Sequence, residues 1–545
     1  MVQRGARTSR KPTAGRVFSQ LDTREQCGQP GSALQRRCEK REKLASSEEF
    51  LERKTCARQT REDRTTLPAM EIRTVLRLSA LILFAPVCLP AQVQLPDTPA
   101  AHQLSAWLAA FDSGDRAKLL AFLQKNFPAR VAEIDDEMGF REQTGGFDLK
   151  QAGDCDVTKC TAILQERDSD QFARIVVDVD PAEPHMIKEV ELRAIPRPAD
   201  FPITRMTEAA ALRAFRAYLD QAAAAGRFSG AALVAKNGKQ VFTAVYGMAD
   251  RDKKIPNHPG TQFRIGSMNK MFTATAVLQL VQAGKLNLTD PLGKYLPDYP
   301  NKDVASKVTI HHLLTHTGGT GDFFGPEFDK HRLELRTLQD YVKLYGERSL
   351  AFEPGSRWEY SNYGFLLLGL VVQKASGQDY YDYVREHIFK PAGMNSTDSL
   401  PEDQAVPGRS VGYTKMNDKR EWLPNLDTLP YRGTSAGGGY STVEDLLAFA
   451  NALENHKLLD AKYVDLLTTG KVERPGGGSK YGYGFGDEVS ADGVRCFGHG
   501  GGAPGMNGDL KICPQSGFVI AVLANLDPQA AGHASDFITA RLPKD

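Results

Sequence analysis

The amino-acid sequence predicts an α+β fold, in which an antiparallel sheet is built from both ends of a long domain and carries helices on its faces. Three observations lead to this prediction. Strand-like segments open and close the region 204–545, with helical segments between them. A helix pair followed by four strand-like segments occupies the region 92–203. The region 92–545 is also too long for one ordinary domain. Strands and helices that are segregated along a chain are typical of α+β proteins.

The first 91 residues differ in composition from the rest of the chain. Residues 1–69 are rich in Arg, Lys, Glu, Ser and Thr, and such a composition cannot bury enough apolar surface to fold alone. Residues 70–91 combine a basic start, a short apolar run and a small residue at the end, which is the pattern of a secretory signal peptide. The run is too short, and too interrupted by Pro86, for a membrane span. We therefore expect translation to start at Met70, residues 1–69 to be a non-native extension, and the mature chain to be periplasmic or secreted without an integral membrane span.

The number and the close pairing of the cysteines are consistent with export. After the signal peptide the chain keeps four of them, in the close pairs Cys155 with Cys160 and Cys496 with Cys513. An even count in an exported protein predicts two disulfides. Cys496 and Cys513 flank a glycine-rich turn between two expected antiparallel strands, so their side chains can meet. Four cysteines allow three connectivities, and their spacing does not choose among them.

The region 92–203 is predicted to form a small α+β domain. Helical periodicity covers 101–111 and 115–127, and four strand-like runs follow at 146–150, 160–164, 172–179 and 187–192. Helices followed by a four-strand meander resemble a cystatin-like or NTF2-like layer. No residue pattern in this domain carries chemistry, so we interpret it as a binding or dimerisation module through which the protein self-associates. The Pro-containing segment 196–202 is the expected linker.

The region 204–545 supplies the larger sheet. An Ala-rich helix is predicted at 206–226, and a hairpin is predicted to turn at Asn237 and Gly238, a pair typical of type I′ turns. Strands are predicted again near the end of the chain, followed by a helix at 530–541. The expected strands are 481–485, 494–497, 510–513 and 518–526.

Ser267 and Lys270 form the one Ser-x-x-Lys in the sequence. A short strand-like approach precedes Ser267, and an apolar helical run without Pro or Gly follows at 271–281. Ser267 is therefore expected at a helix N-terminus, where unpaired N–H groups favour developing negative charge. Lys270 lies one turn along the same face, within reach of the hydroxyl. Because a serine hydroxyl is a poor nucleophile until a base takes its proton, this pair predicts an activated nucleophile.

Two further segments are candidates for the same site. Tyr360 and Asn362 form a Tyr-x-Asn in a polar loop ahead of an apolar helix. A phenol near cations has a lowered pKa and can act as a general base, while an amide can hold a substrate or the lysine. A second Tyr-x-Asn, at Tyr299 and Asn301, follows an ordinary surface turn and is interpreted as structural.

A glycine-rich segment with one histidine follows near the end of a predicted strand. His499 is followed by Gly500, Gly501 and Gly502. Consecutive glycines let a substrate lie directly on the backbone, and one of their N–H groups can complete an oxyanion hole with the N–H of Ser267.

The order Ser-x-x-Lys, Tyr-x-Asn, His-Gly-Gly resembles the family of class C β-lactamases, serine D-Ala-D-Ala carboxypeptidases, D-aminopeptidases and β-lactamase-like esterases. The resemblance covers about residues 205–545 and extends to the segments 309–319 and 435–442. It implies a β-lactamase/penicillin-binding-protein-like fold, with a helical domain beside the antiparallel sheet. It also implies that no metal and no cofactor takes part.

The same resemblance implies roles for individual residues. Ser267 would be the nucleophile, Lys270 its proton acceptor and Tyr360 the general acid/base. The substrate-binding residues would be Asn362, which contacts the substrate or the lysine, His499, Gly501, and Gly502, whose N–H would be the second oxyanion donor.

One departure from the family pattern concerns His499. Class C β-lactamases carry Lys-Thr-Gly at this place, and the lysine provides a permanent positive charge for the carboxylate of a β-lactam. A histidine with an unperturbed pKa near ~6.5 is only partly charged at neutral pH. Because some carboxypeptidases and D-aminopeptidases of the family also have histidine here, hydrolase chemistry is expected to survive, whereas efficient β-lactamase activity is not expected.

A rival nucleophile is Ser435, which lies in a Gly-x-Ser-x-Gly sequence like the nucleophile elbow of α/β-hydrolases. An elbow needs a buried strand before the serine and a helix immediately after it. Pro430 precedes this serine and more glycines follow it; the next helix begins at Ser441, whose spacing to Glu444 is that of a capping box. We therefore interpret Ser435 as part of a glycine-rich strand.

Other ligand classes find little support. His312 and His316 are four residues apart, but no Glu completes a His-Glu-x-x-His, and Thr317 with the glycines after it ends the segment, so packing and capping are expected rather than metal binding. A net charge of +1 provides no broad basic face for nucleic acid.

The sequence thus predicts a secreted serine hydrolase that cleaves ester or amide bonds, the latter in D-Ala-type peptides, through an acyl-enzyme on Ser267. Its expected substrates are small esters, peptides or peptidoglycan-derived molecules. Two alternatives stay open: an acyltransferase that uses the same acyl-enzyme, and a penicillin receptor or scaffold without turnover.

Overall fold

We describe the computed structural model of the protein over residues 93–417, 420–475 and 477–545. The expected extension 1–69 and signal peptide 70–91 lie outside the described residues. Within the described part of the chain, no helix combines the length and the apolar character that crossing a membrane requires.

The N-terminal domain contains the predicted helices and the predicted four-strand meander. Helix α1 starts after Thr98 and α2 after Asp115, and each of these residues caps its helix by accepting a hydrogen bond from a backbone N–H of the first turn. A third helix was not predicted, because its sequence has no apolar stripe. The elements are α1 Pro99–Asp112, α2 Arg116–Asn126, α3 Ile134–Thr144, β1 Phe147–Cys155, β2 Lys159–Glu166, β3 Phe172–Val179 and β4 Ile187–Ile195, with the sheet order β1-β2-β3-β4.

The larger domain is built on an eight-stranded antiparallel sheet of order β13-β14-β15-β16-β17-β18-β5-β6. The strand that enters this sheet first along the chain pairs with the last one, as the predicted fold class requires, and on its other side with the second strand of its own hairpin. That hairpin turns at Asn237 and Gly238, both of which have positive φ. The strands of this sheet are β5 Gly230–Lys236, β6 Lys239–Tyr246, β13 Val472–Glu473, β14 Ser479–Tyr481, β15 Gly486–Val489, β16 Arg495–Ala503, β17 Met506–Cys513 and β18 Phe518–Ala524.

Short strand pairs and helices complete the domain. The pairs are β7 Met248–Asp250 with β8 Ile255–Pro256, β9 Phe263–Gly266 with β12 Gly439–Ser441, and β10 Tyr413–Thr414 with β11 Leu423–Pro424. The helices are α4 Glu208–Ala224, α5 Asn269–Gln282, α6 Lys302–Lys307, α7 Ile310–Leu314, α8 Pro326–His331, α9 Leu338–Tyr345, α10 Asn362–Ser376, α11 Tyr380–Val384, α12 Lys390–Ala392, α13 Val443–Glu454, α14 Ala461–Thr468 and α15 Ala530–Thr539.

Apolar side chains fill both faces of the sheet. On one face α5, α10 and α13 form the largest cluster of buried residues, together with alternate residues of β5 and β18 such as Leu233 and Leu523. On the other face α4 and α15 pack Phe215 and Ile538 against the remaining residues of these strands. Since β18 is covered on both sides, its sequence is a continuous apolar run.

Two local predictions in the larger domain are wrong, and one predicted strand is longer than expected. The predicted strand 481–485 is a turn between β14 and β15, in which the Gly482 N–H donates to the Phe485 carbonyl (2.7 Å); alternating aromatic residues imitate a strand there. The predicted strand 494–497 continues through the glycines to Ala503. Thr442, rather than Ser441, caps α13, because its hydroxyl accepts the N–H of Asp445.

Both cysteine pairs form disulfides, Cys155 with Cys160 and Cys496 with Cys513. The second bond joins the neighbouring strands β16 and β17, as expected. It therefore links the strand that carries His499 to its partner in the sheet.

Ion pairs connect the part of the chain that contains β1–β4 to the part built on the eight-stranded sheet, and the two parts belong to one compact unit. Asp170 of the smaller domain binds Arg541 after α15 (2.5 Å), and Asp168 binds Arg227 (3.2 Å). Lys415 of the larger domain also binds Glu142 on α3. These contacts lie near the C-terminal helix.

Candidate active site

Ser267 lies in the tight turn between β9 and α5. Gly266 makes this turn possible, since its φ of 50° is in the left-handed region that favours glycine. The carbonyl of Ser267 accepts the N–H of Lys270 (3.0 Å), which begins the helix. The serine is partly exposed and precedes the first turn of α5, as the sequence predicts.

Lys270 is fully buried beside Ser267. Its Nζ is 3.2 Å from Ser267 Oγ, and it donates to Asn362 Oδ1 (2.7 Å) and to the Ala436 carbonyl (2.6 Å). Burial lowers the pKa of this amine to about 7, although the carboxylate of Asp322 opposes that shift. A substantial fraction of Lys270 is therefore neutral near pH 7 and able to accept the Ser267 proton.

Asn362 is the first residue of α10 and connects Lys270 to an acidic residue. The helix is capped by Ser361, whose Oγ accepts the Gly364 N–H (2.9 Å). The Nδ2 of Asn362 donates to Asp322 Oδ2 (2.8 Å) while its Oδ1 faces the lysine. Asp322 belongs to the segment 322–328, whose acidic and aromatic residues are pocket candidates that the sequence cannot place, and only the fold brings it to the site.

Tyr360 lies close to both Ser267 and Lys270. Lys270 Nζ is 4.7 Å from the centroid of its ring, and the Ser267 hydroxyl lies near enough to the phenol to act on its pKa. The expectation that neighbouring cations lower the pKa of this phenol is wrong. Burial raises the pKa of the phenol above its ordinary value, and the nearby Ser267 side chain offsets the shift only in part. The phenol is thus protonated at neutral pH and available as a proton donor.

His316 holds the backbone on both sides of Tyr360. The Glu359 N–H donates to the His316 carbonyl (2.9 Å), and the Ser361 N–H donates to His316 Nδ1 (3.1 Å). The centroids of the His316 and Tyr360 rings are 4.3 Å apart. Since Nδ1 accepts, the proton of the neutral ring is on Nε2, and burial keeps the ring neutral by lowering its pKa. The sequence did not indicate that His316 holds the backbone beside Tyr360, although His316 belongs to a segment that carries the family resemblance.

We expect His316→Phe to slow covalent labelling of Ser267 by a fluorophosphonate about tenfold. Phenylalanine keeps a ring against Tyr360 but removes the acceptor for the Ser361 N–H, and misplacement of a catalytic group by about 1 Å can cost up to ~100-fold. His316→Asn is the matched variant, because its amide oxygen can take the place of Nδ1 and asparagine tolerates the φ of 59° found here. Equal loss in both variants, with thermal unfolding unchanged, would contradict this role.

Strand β16 lies directly against the turn that carries Ser267. A Cβ added at Gly501 would be 1.9 Å from the Ile265 carbonyl and 3.0 Å from the Ser267 nitrogen, so only glycine permits this approach. A Cβ added at Gly266 would be 2.9 Å from the Gly502 nitrogen. The amides of Ser267 and Gly502 are therefore close neighbours, as an oxyanion hole requires.

His499 on β16 carries no charge at neutral pH. Burial and the charge of Lys270 lower its pKa to about 3. Its Nδ1 faces the carbonyl of Gly500, which can only accept, so the proton is on Nδ1, and Nε2 accepts from the Tyr481 hydroxyl (2.9 Å). The site therefore has no permanent cation at the position of the family lysine.

A cavity of about 460 Å³ opens beside these residues. Its wall includes Tyr360, His499, Gly501 and Gly502 together with the aromatic side chains of Trp358 and Tyr481. It therefore provides room for a substrate next to the nucleophile. Four of the seven residues that the sequence selects line this cavity, and the other three, Ser267, Lys270 and Asn362, contact one another beside Tyr360.

The rival candidates have structural contacts. Ser435 is completely buried, and its carbonyl accepts from Thr273 Oγ1 (2.7 Å), so it is not an exposed elbow nucleophile. The side chain of Asn301 caps α6. His312 Nδ1 accepts the Thr309 N–H (3.3 Å) at the start of α7. Within the ranges that the structure describes, no three metal-ligating side chains come together.

The family model described as "Beta-lactamase" matches residues 215–542 of this chain. A penicillin-binding protein from Bacillus halodurans has a similar structure, with a TM-score of 0.55 and 36% identity, over 59% of this chain and 99% of that one. A D-stereospecific amidohydrolase from Streptomyces sp. matches with a TM-score of 0.51 and 28% identity, over 60% of this chain and 97% of that one. Esterase EstB of Burkholderia gladioli is 36% identical over 224 residues, which are 38% of this chain and 57% of the esterase.

Proposed function

Because the chain belongs to the β-lactamase family, we propose that it is a serine hydrolase that cleaves ester or amide bonds through an acyl-enzyme on Ser267. One observation carries the proposal: Lys270 is fully buried, has a pKa lowered to about 7 and is 3.2 Å from the Ser267 hydroxyl. A solvated lysine would be charged at neutral pH and unable to take a proton. This one can serve as the general base.

In the acylation step, neutral Lys270 accepts the proton of Ser267 as Oγ bonds to the substrate carbonyl carbon. Negative charge develops on the carbonyl oxygen, and the N–H groups of Ser267 and Gly502 stabilise it. The bond to the leaving group then breaks. Tyr360 gives its proton to the departing alkoxide or amine and regains one from Lys270, so both side chains return to their starting states.

In the deacylation step, a water molecule attacks the acyl carbon and the same groups work in the reverse direction. The Tyr360 phenol passes its proton to Lys270 as it accepts one from the water, and Lys270 gives a proton to Ser267 Oγ as the acyl–enzyme bond breaks. The products are a carboxylic acid and free Ser267. If an alcohol or amine attacks instead of water, the result is acyl transfer.

The neutral edge of His499 favours substrates without a carboxylate directly against that side chain, while Arg474, which also lines the cavity, is a cation within electrostatic reach of His499. A neutral histidine provides a hydrogen-bonding edge but no fixed cation. Small esters and amides of D-Ala-type peptides, including peptidoglycan-derived ones, fit this preference better than β-lactams do. The names of the similar esterase and of the similar D-stereospecific amidohydrolase agree with these two classes.

We also propose that the protein works outside the cytoplasm, in the periplasm or after secretion. The observation that supports this location is the pair of disulfides, which persist in oxidising compartments. The small N-terminal domain would then serve as a binding or self-association module beside the hydrolase domain.

The first experiment is treatment of the purified protein with a fluorophosphonate probe, followed by peptide mass mapping, beside a Ser267→Ala control. We expect a stoichiometric adduct on Ser267 that is absent from the control. Panels of esters, D-amino acid amides and β-lactams then define the substrate, with added alcohols and amines to reveal acyl transfer. An adduct on Ser435 would refute the assignment of the nucleophile. No adduct anywhere would leave a scaffold or receptor, and adduct formation without turnover of any substrate would favour a receptor.

A further inference from the structure

Asp322 is held rigidly in the loop that precedes α8. Its Oδ1 accepts the N–H of Phe323 (2.7 Å), and its Oδ2 accepts from Asn362 Nδ2 (2.8 Å). Its own carbonyl accepts from Arg348 Nη1 (2.5 Å). Both side-chain oxygens therefore act as acceptors, as in a carboxylate.

This contact decides which way the amide of Asn362 faces. An amide has an accepting oxygen on one side and a donating nitrogen on the other. A carboxylate can only accept, so the nitrogen of Asn362 must face Asp322 and the oxygen must face Lys270 (2.7 Å). The reversed amide would put a donor against the lysine and an acceptor against the carboxylate. Asp322 thus selects the orientation in which Asn362 accepts from Lys270.

The charge of Asp322 also acts on the Lys270 amine, in the direction opposite to the effect of burial. Burial favours the neutral amine, and the charge of Asp322 favours the ammonium form. The other titratable groups that face Lys270 are Tyr360 ahead of α10, His316 after α7 and His499 on β16. Burial keeps the phenol protonated and both imidazoles neutral. Asp322 is consequently the acidic group whose charge acts on the lysine, and burial raises the pKa of its carboxyl above the ordinary value.

We propose that Asp322 is a positioning residue that fixes the amide of Asn362 and, through it, holds Lys270 for proton transfer from Ser267. This inference rests on the proposed function, in which Lys270 is the base. Asp322 itself does not touch the reacting atoms.

The test is the rate of fluorophosphonate labelling of Ser267 between pH 5 and 9, on the full chain, for wild type, Asp322→Asn and Asp329→Asn. The wild-type rate is expected to fall as the pH drops through about 7, because the base becomes protonated. In D322N the plateau rate should fall about tenfold. Its acid limb should move by roughly one pH unit to lower pH, because the charge that favours the ammonium form is gone. Asp329 is an exposed carboxylate in the same region, and D329N should behave as wild type.

Asp322→Glu separates charge from position. It keeps the carboxylate and should keep the acid limb of wild type, while the longer side chain lowers the plateau rate. Two results would overturn the proposal. One is a D322N variant whose plateau rate falls while its acid limb stays at the wild-type pH. The other is a D322E variant whose acid limb moves as far as that of D322N. If D322N does not fold, the D322E profile decides alone. Failure of the proposed function is a separate result, since wild type would then show no labelling of Ser267.

Discussion

Replacing Lys270 with methionine is expected to lower kcat/KM by roughly 10⁴-fold or more, because a nucleophile and its base act as one unit. Methionine fits a fully buried position and has a similar length, so the change removes the base with little change of shape. Two acceptors lose their donor, Asn362 Oδ1 and the Ala436 carbonyl. Each unsatisfied buried group costs about 1–3 kcal/mol of folding free energy, partly offset because no amine is buried. Steady-state kinetics on an ester substrate and thermal unfolding measure the two effects.

The matched control is Lys285→Met, which removes a solvent-exposed lysine just beyond the end of α5. It should leave both kcat/KM and the melting temperature near the wild-type values. If K270M kept more than about a tenth of the wild-type activity while folded, another group would have to be the base. In that case Tyr360, the other proton-carrying group near Ser267, would be the next to replace.

The sequence was most informative where the chemistry depends on local geometry. Ser267 and Lys270 are three residues apart at the start of a helix, so their contact follows from helix geometry once the helix is recognised. The glycines of β16 were also recognisable, because only a residue without a side chain permits such close backbone approach. The order of strands and helices also predicted that the antiparallel sheet combines strands from the start and the end of the larger domain.

Contacts between distant segments could not be predicted in the same way. The sequence named Lys270, 92 positions away, as one of two expected partners of Asn362, but no pattern connected Asn362 to Asp322, 40 positions away. His316 reaches Ser361 over 45 positions. No local pattern signals that these side chains meet, so the roles of Asp322 and His316 emerged only from the fold.

The error about Tyr360 has a general physical reason. A sequence reveals which charged residues are present, and nearby cations lower the pKa of a phenol. It does not reveal how completely the phenol is removed from water, and desolvation is the larger effect here. The same effect gives Lys270 its lowered pKa. Burial therefore makes the lysine the base and the tyrosine the donor, a division of labour that residue types alone do not specify.

Gly501→Ala is expected to lower kcat roughly 10²- to 10³-fold with a smaller effect on the melting temperature. The added Cβ would lie 1.9 Å from the Ile265 carbonyl and 3.0 Å from the Ser267 nitrogen, so β16 must move away from the turn that carries the nucleophile. That movement separates the Gly502 N–H from the Ser267 N–H, and the oxyanion loses a donor. Stopped-flow measurement of acylation with an ester substrate checks the step that should slow.

Gly500→Ala is the control for this prediction, because neighbouring residues of a strand point to opposite faces. At Gly500 the nearest atom to an added Cβ is an Asp509 carboxylate oxygen at 3.4 Å, which is an ordinary contact. G500A should therefore acylate at nearly the wild-type rate. If both variants lost activity equally, general weakening of β16 would explain the loss. If G501A kept wild-type acylation, close approach of this strand to Ser267 would not be needed, and the Gly502 N–H would not be the second oxyanion donor.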